Sequence, residues 1–158
     1  MSNFPTRGGT AGARYWFDAS PPFTYHKTMD AVTHPLLLRL SAQVKSDPEV
    51  LAALLFGSRA RGDASSESDF DVCLVLGPDV RSDLAAAHKR LAYLAEADLD
   101  FVIFQQLPLH IRSRVLKEGK VIFVRDEDAL YALAIRTARA FEAFRHVYRQ
   151  YLDRVSCD

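Results

Sequence analysis

Asp69 and Asp71 lie two residues apart at the head of an apolar run. A strand alternates its side chains, so this spacing turns both carboxylates to one face. Carboxylates that close repel and shift one another's pKa unless a cation sits between them. Mg²⁺ suits hard carboxylate oxygens and phosphate oxygens together. Alone, Asp-x-Asp also describes a solvated turn before a strand. The stretch upstream, Gly57-Ser58-Arg59-Ala60-Arg61-Gly62, favours the metal. Gly57 follows an apolar run directly, and with no Cβ it lets the backbone approach a ligand at unusual angles. Ser58 offers a hydroxyl and an N–H to a phosphate oxygen. Arg59 and Arg61 can add charge-assisted contacts to a polyphosphate, the plainer reading being exposed loop charge. Gly62 permits a second tight turn.

The surrounding pattern predicts elements that could hold these groups. Leu36, Leu37, Leu40 and Val44 recur at helical spacing over 35–46, and Asp47-Pro48 ends that helix. Val50 to Phe56 reads as a buried strand. Residues 57–68 read as a polar loop with one helical turn, and 69–76 as a second strand closed by Gly77-Pro78. Helix is expected over 82–95, strand over 99–104, and helix from Pro108 to about Lys117 with Gly119 beyond its end. Strand follows over 120–124. Asp126 caps a long final helix whose apolar stripe runs Leu130, Leu133, Phe141, Phe144, Tyr148, Tyr151 and Val155, with a gap at Thr137. Cys73 is expected in the core, turned away from Asp69 and Asp71 if its strand is regular. The fold class is therefore α/β (α+β), a small mixed sheet flanked by helices. Residues 1–33, punctuated by Gly and Pro, read as a loose extension carrying Tyr15, Trp16, Phe17, Phe23 and Tyr25. Residues 34–158 form the expected domain.

The bulk properties agree with an ordinary globular chain. Of 158 residues, 49% are apolar and 25% charged, and the formal net charge is zero. The whole-molecule field thus selects neither nucleic acid nor a membrane surface. Two cysteines, Cys73 and Cys157, make no disulfide or zinc framework, which suggests a reducing, cytoplasmic setting. The N-terminus lacks a signal-peptide apolar core, and no run is long enough to span a membrane.

Gly-Ser, ten residues, then Asp-x-Asp resembles the signature of the DNA polymerase β-like nucleotidyltransferases. The fuller GSRARGDASSESDFD is similar to the minimal nucleotidyltransferase branch, which includes MntA-type antitoxins paired with HEPN-domain toxins. LDFVIFQQLPLHIRSRVLKEGKVIFVRD resembles that branch's third metal-binding strand, helix and EGK hairpin. The likeness covers about 34–153 and leaves 1–33 unmatched. It implies that Gly57 and Ser58 hold nucleotide phosphates and that Asp69 and Asp71 bind two Mg²⁺ ions. The implied third carboxylate is Asp98 or Asp100, which share a face; Asp100 is preferred because the apolar run Phe101 to Phe104 follows it. Asp100 could also take the acceptor's proton. Asp63 and Glu67 read as loop surface. His110, Arg112, Arg114, Lys117, Lys120 and Arg125 form a basic cluster, either a solvated face or a contact for acceptor, nucleotide or acidic partner. Arg139, His146 and Tyr148 resemble a HEPN ribonuclease motif, but on an amphipathic helix they need only solubility and packing.

The resemblance implies transfer of AMP from ATP to a macromolecule, foremost a tyrosine of a cognate HEPN toxin held in a hetero-oligomer. At 158 residues there is little room for a substrate domain, so a macromolecular acceptor is favoured. The alternatives are an aminoglycoside-type small-molecule acceptor and a non-enzymatic antitoxin that neutralises by binding.

Overall fold

The architecture is seen in a computed structural model that describes residues 34–62, 69–96 and 99–155. The expected extension over 1–33, together with Asp63, Glu67, Asp98 and Cys157, lies outside the described residues. Helix α1 spans Pro35–Ser46; His34 caps it by accepting the Leu36 N–H on Nδ1, and Pro35 opens it. Pro suits this first turn because its missing N–H would find no partner there. Strand β1 (Val50–Phe56) runs straight into α2, a single helical turn at Ser58–Arg61. Then come β2 (Asp71–Leu76), α3 (Asp83–Glu96), β3 (Asp100–Ile103) and a 3₁₀ turn at Phe104–Gln106. Helix α4 (Leu109–Glu118), β4 (Lys120–Val124) and α5 (Glu127–Val155) complete the chain.

The sheet order is β3-β2-β1-β4. β1 is antiparallel to both β2 and β4, and β2 is parallel to β3. It is the expected mixed sheet. Strand alternation divides its apolar residues between two cores. Ala53, Leu55, Val72, Leu74, Phe101 and Ile103 face α1 and α3. Leu54, Cys73, Val75 and Val121 face α4 and α5. A register shift between Val50 and Ala52 puts Leu51 and Ala52 on that second side together, as a bulge does.

Several expectations need correction. β2 starts at Asp71, not Asp69, because its partner β1 ends at Phe56, which pairs with Asp71, and the chain leaves the sheet at Gly57. Phe104 belongs to the 3₁₀ turn. Cys73 is fully buried, but it shares the face of Asp71, since positions 71, 73 and 75 alternate in step. Along α5 the buried positions are Leu130, Ala134, Thr137 and Ala138, while Leu133 is only partly buried. Thr137 is no gap: its hydroxyl donates to the Leu133 carbonyl at 2.9 Å, so it can be buried at little cost.

Side chains tie the elements together. Arg125 donates to the carbonyls of Val44, Lys45, Asp47 and Val50, closing the carbonyl end of α1 where intrahelical donors run out. Lys89 on α3 bonds Asp47 at 2.9 Å and also Glu49, and Tyr93 donates to the same Asp47 carboxylate at 3.1 Å. The Gln105 amide pairs with both the N–H and the carbonyl of Leu76, imitating one more rung of ladder beyond β3.

Candidate active site

The exit of β1 and the entries of β2 and β3 lie side by side in the sheet. Phe56 pairs with Asp71, and Asp71 pairs in parallel register with Asp100. The Asp100 N–H donates to the Phe70 carbonyl at 3.1 Å. Because β2 and β3 are parallel, both strands present the same end, and their first residues carry carboxylates on one face. Three acids that are 31 residues apart in sequence at most (Asp69 to Asp100) thus share one edge of the sheet.

Electrostatics reports their proximity. The Asp71 carboxyl is held above its ordinary value by burial first, then by the negative charges of Asp100 and Asp69. Such a site favours either a proton or a cation. The donor set, carboxylate oxygens only, suits Mg²⁺. Among the described residues no group of three His, Cys, Asp or Glu side chains lies close enough to hold a metal ion by itself.

Gly57 shows why a side chain is excluded at this corner. Its φ is 76° and its ψ −154°, a region that only glycine enters readily. A Cβ built there would run into the Asp71 carboxylate. The turn α2 follows at once, and Gly62 closes it in the left-handed conformation with φ 84° and its N–H bonded to the Ser58 carbonyl. The glycines of the motif therefore meet two separate demands, close approach at 57 and handedness at 62.

The two arginines of the motif part company. Arg59 lies over the Phe70 ring, its guanidinium carbon 4.0 Å from the centroid, and His34 meets the same ring at 4.7 Å. Arg61 points toward α4, with Nη1 3.9 Å from a Glu118 carboxylate oxygen. Beside Gly57, between α2 and α4, lies a cavity of about 330 Å³ lined by Phe56, Arg61, Ile111, Arg114, Val115 and Glu118. Its inner wall is apolar and its rim is charged, the usual make-up of a small-molecule site. Sequence reading did not find this cavity. Glu118 stands four residues after Arg114, the spacing of a helix-surface pair, which signals a shared face but not that the face borders Gly57.

The basic cluster does not survive as a unit. Arg112 donates to the carbonyls of Leu107 and Gln105, and Arg125 is spent on α1. Arg114 pairs with Glu118 at 3.3 Å. Arg112 and Arg125 hold the backbone rather than a ligand. His146 bonds Gln150, and Tyr148 stacks on Phe144.

Comparison with known proteins gives a consistent picture. Residues 39–128, more than half of the chain, match the family described as Polymerase beta, Nucleotidyltransferase. A Methanocaldococcus jannaschii protein named as a protein adenylyltransferase is 33% identical over 107 residues, 68% of this chain and 76% of that one. A chain in a toxin–antitoxin crystal structure with AMP-PNP superimposes with a TM-score of 0.52 at 23% identity, covering 76% of this chain and 93% of that one. A mutant MntA-HpeT toxin–antitoxin complex gives a TM-score of 0.50 at 23% identity, covering 76% and 92%. At such identities the two structures speak for the fold alone.

Proposed function

Because this chain belongs to the polymerase β nucleotidyltransferase family, we propose that it transfers AMP from ATP to a tyrosine of a protein partner, a HEPN-domain toxin. That it is a nucleotidyltransferase follows from the family. The acceptor, the nucleotide and the residue roles are the proposal. One observation carries the residue roles: Asp71 stands in register with Asp100 while its carboxylate backs onto Gly57. A polyphosphate lying along Gly57 and Ser58 would then meet the carboxylates at its α-phosphate.

In this reading Asp69, Asp71 and Asp100 would hold two Mg²⁺ ions. Bound there, the ions supply charge neutralisation for the triphosphate and the departing pyrophosphate. The backbone N–H groups at Gly57 and Ser58, with the Ser58 hydroxyl, hold phosphate oxygens in line. The tyrosine oxygen attacks the α-phosphorus, the bond to the bridging oxygen breaks, and pyrophosphate leaves with that electron pair. Asp100, exposed at the strand entry, accepts the tyrosine proton. Arg61, which lines the cavity beside Gly57, would contact the nucleotide in this reading. Arg59, stacked on Phe70, supports the turn from the other side and reaches phosphate only by leaving that ring.

A protein acceptor is supported by the M. jannaschii relative, named for protein adenylylation. A toxin acceptor is supported by relatives of the same fold that sit in toxin–antitoxin assemblies, one of them with an ATP analogue. The test is transfer from ATP labelled at the α-phosphate to a co-purified HEPN toxin, wild type against Asp69→Asn/Asp71→Asn. Label on toxin tyrosine with wild type alone is expected. Mutant-sensitive label on a small molecule instead would replace the acceptor with an aminoglycoside-type one. Toxin neutralised equally by the double mutant, with no label, would leave a binding antitoxin.

A further inference from the structure

Helix α5 is longer than the body it packs against. It runs for 29 residues, about 43 Å at 1.5 Å per residue. Leu130, Ala134 and Thr137 start a stripe at spacings of four and three, and all three are buried. Phe141, Phe144, Tyr148, Tyr151 and Val155 continue the same alternation to the end of the helix. A strict 3.5-residue repeat kept this long is the mark of a helix meant to pack along another helix. Yet from Arg139 onward no described residue is buried. Phe144 is 52% exposed, Tyr148 51%, Tyr151 60% and Val155 56%, with Val147 beside them at 63%. The rings of Phe144 and Tyr148 stack on each other at 6.0 Å. A contiguous apolar strip of this kind, bare in water, marks an interaction site, and a projecting helix gains most of its stability from tertiary packing.

Charge selects the occupant. In the heptad set by the stripe, the charged residues that directly flank the bare part are Arg145 and Arg154. Over 139–155 there are four arginines, Arg139, Arg145, Arg149 and Arg154, against Glu142 and Asp153, a net charge of 4 − 2 = +2 with His146 neutral. Arg145 is drawn to Glu142 at 3.2 Å, an exposed pair of little energetic weight that a partner's carboxylate can displace. A second copy of this chain would set cationic flank against cationic flank. We infer that Phe141 to Val155 is a docking seam for an amphipathic helix of another protein, one whose apolar stripe is flanked by carboxylates. None of these residues lines the aspartate edge or its cavity, so the inference stands apart from the proposed reaction.

Two designed helical peptides of about three heptads, with identical leucine seams and either glutamate or lysine at the flanking positions, provide the probes. Their binding to the full chain is read by fluorescence anisotropy, with sedimentation of the chain alone run in parallel. The glutamate peptide binds a monomeric chain, the lysine peptide does not, and added salt weakens the complex. Tyr148→Glu/Tyr151→Glu weakens it by about 30-fold or more, as loss of one central aromatic anchor does, while far-UV circular dichroism and nucleotidyl transfer stay at wild-type level. Equal binding of both peptides overturns the charge selection. A wild type that sediments as a dimer and falls to monomer in the double variant makes the second copy the occupant and overturns the inference. So does a monomer that binds neither peptide.

Discussion

In the proposed reading Asp71 has two opposed roles, holding a cation when one is bound and carrying an unfavourable charge when none is, and the two separate on mutation. Burial and the charges of Asp100 and Asp69 raise its pKa. A raised carboxyl favours folding while protonated, and that contribution is lost as pH rises through the folded value. At neutral pH without metal, Asp71→Asn therefore raises the melting temperature, measured by calorimetry in chelator. The same change lowers nucleotidyl transfer by roughly 1,000-fold, a loss of about 4 kcal/mol of transition-state charge stabilisation. Transfer that survives in Asp71→Asn would remove this residue from the reaction. Gly57→Ala is the neighbouring experiment. The new Cβ meets both the carboxylate and a glycine-only backbone angle, at a cost of about 1–3 kcal/mol. It should lower both chemical-denaturation stability and activity, whereas Gly62→Ala, with open space around its Cβ, touches only the turn's handedness.

At the scale of elements, the link between α3 and the α1–β1 corner is an ion cluster. Burial raises the Asp47 carboxyl, but bonds from Lys89, the Glu49 N–H and Tyr93 outweigh it and leave it below its ordinary value. Burial likewise lowers the Lys89 ammonium, and Glu49 and Asp47 outweigh that and raise it. A lowered carboxyl contributes stability that is present above its unfolded value of 3.8 and lost as pH falls through the folded one. A raised ammonium contributes stability present below 10.5 and lost as pH rises through its folded value. Asp47→Asn should therefore weaken the fold by about 1–3 kcal/mol across the neutral range. That gap closes below pH 3.8. Urea unfolding at several pH values measures it, and a pH-independent gap would mean that Asp47 acts by shape and not by charge. Arg125 does a related task through hydrogen bonds: one guanidinium gathers four carbonyls where α1 meets β1.

The whole molecule is a sheet covered on both faces, with its acidic edge left open and one helix overreaching. If the proposed function holds, metal and nucleotide together complete that acidic edge. Ligand at about 100 times its Kd adds about 2.7 kcal/mol, or about 5–10 °C in melting temperature for a chain of this size. ATP with Mg²⁺ should give that shift in thermal unfolding, and either component alone, or both after chelation, should give much less. An equal shift from ATP in chelator would place binding away from the aspartates. Among the described residues no helix is long and apolar enough to cross a membrane.

The sequence by itself determined what is local. Period decided α1, β1 and β4 to the residue, since burial on one side imposes spacing directly. The Gly57-Ser58 and Asp69-x-Asp71 pattern named the family, because its chemistry restricts residue types over a short stretch. Only the tertiary structure decided what depends on partners distant in the chain. Parallel pairing of β2 with β3 put Asp100 opposite Asp71. Packing sent Arg59 to Phe70 and Arg61 to α4, although both occupy one motif. Hydrogen bonding turned Arg112 and Arg125 from surface charge into backbone ties. Along α5 the repeat was legible, but not where the core stops beneath it. A side chain's spacing is written in the chain; what stands across from it is settled only when the other elements arrive.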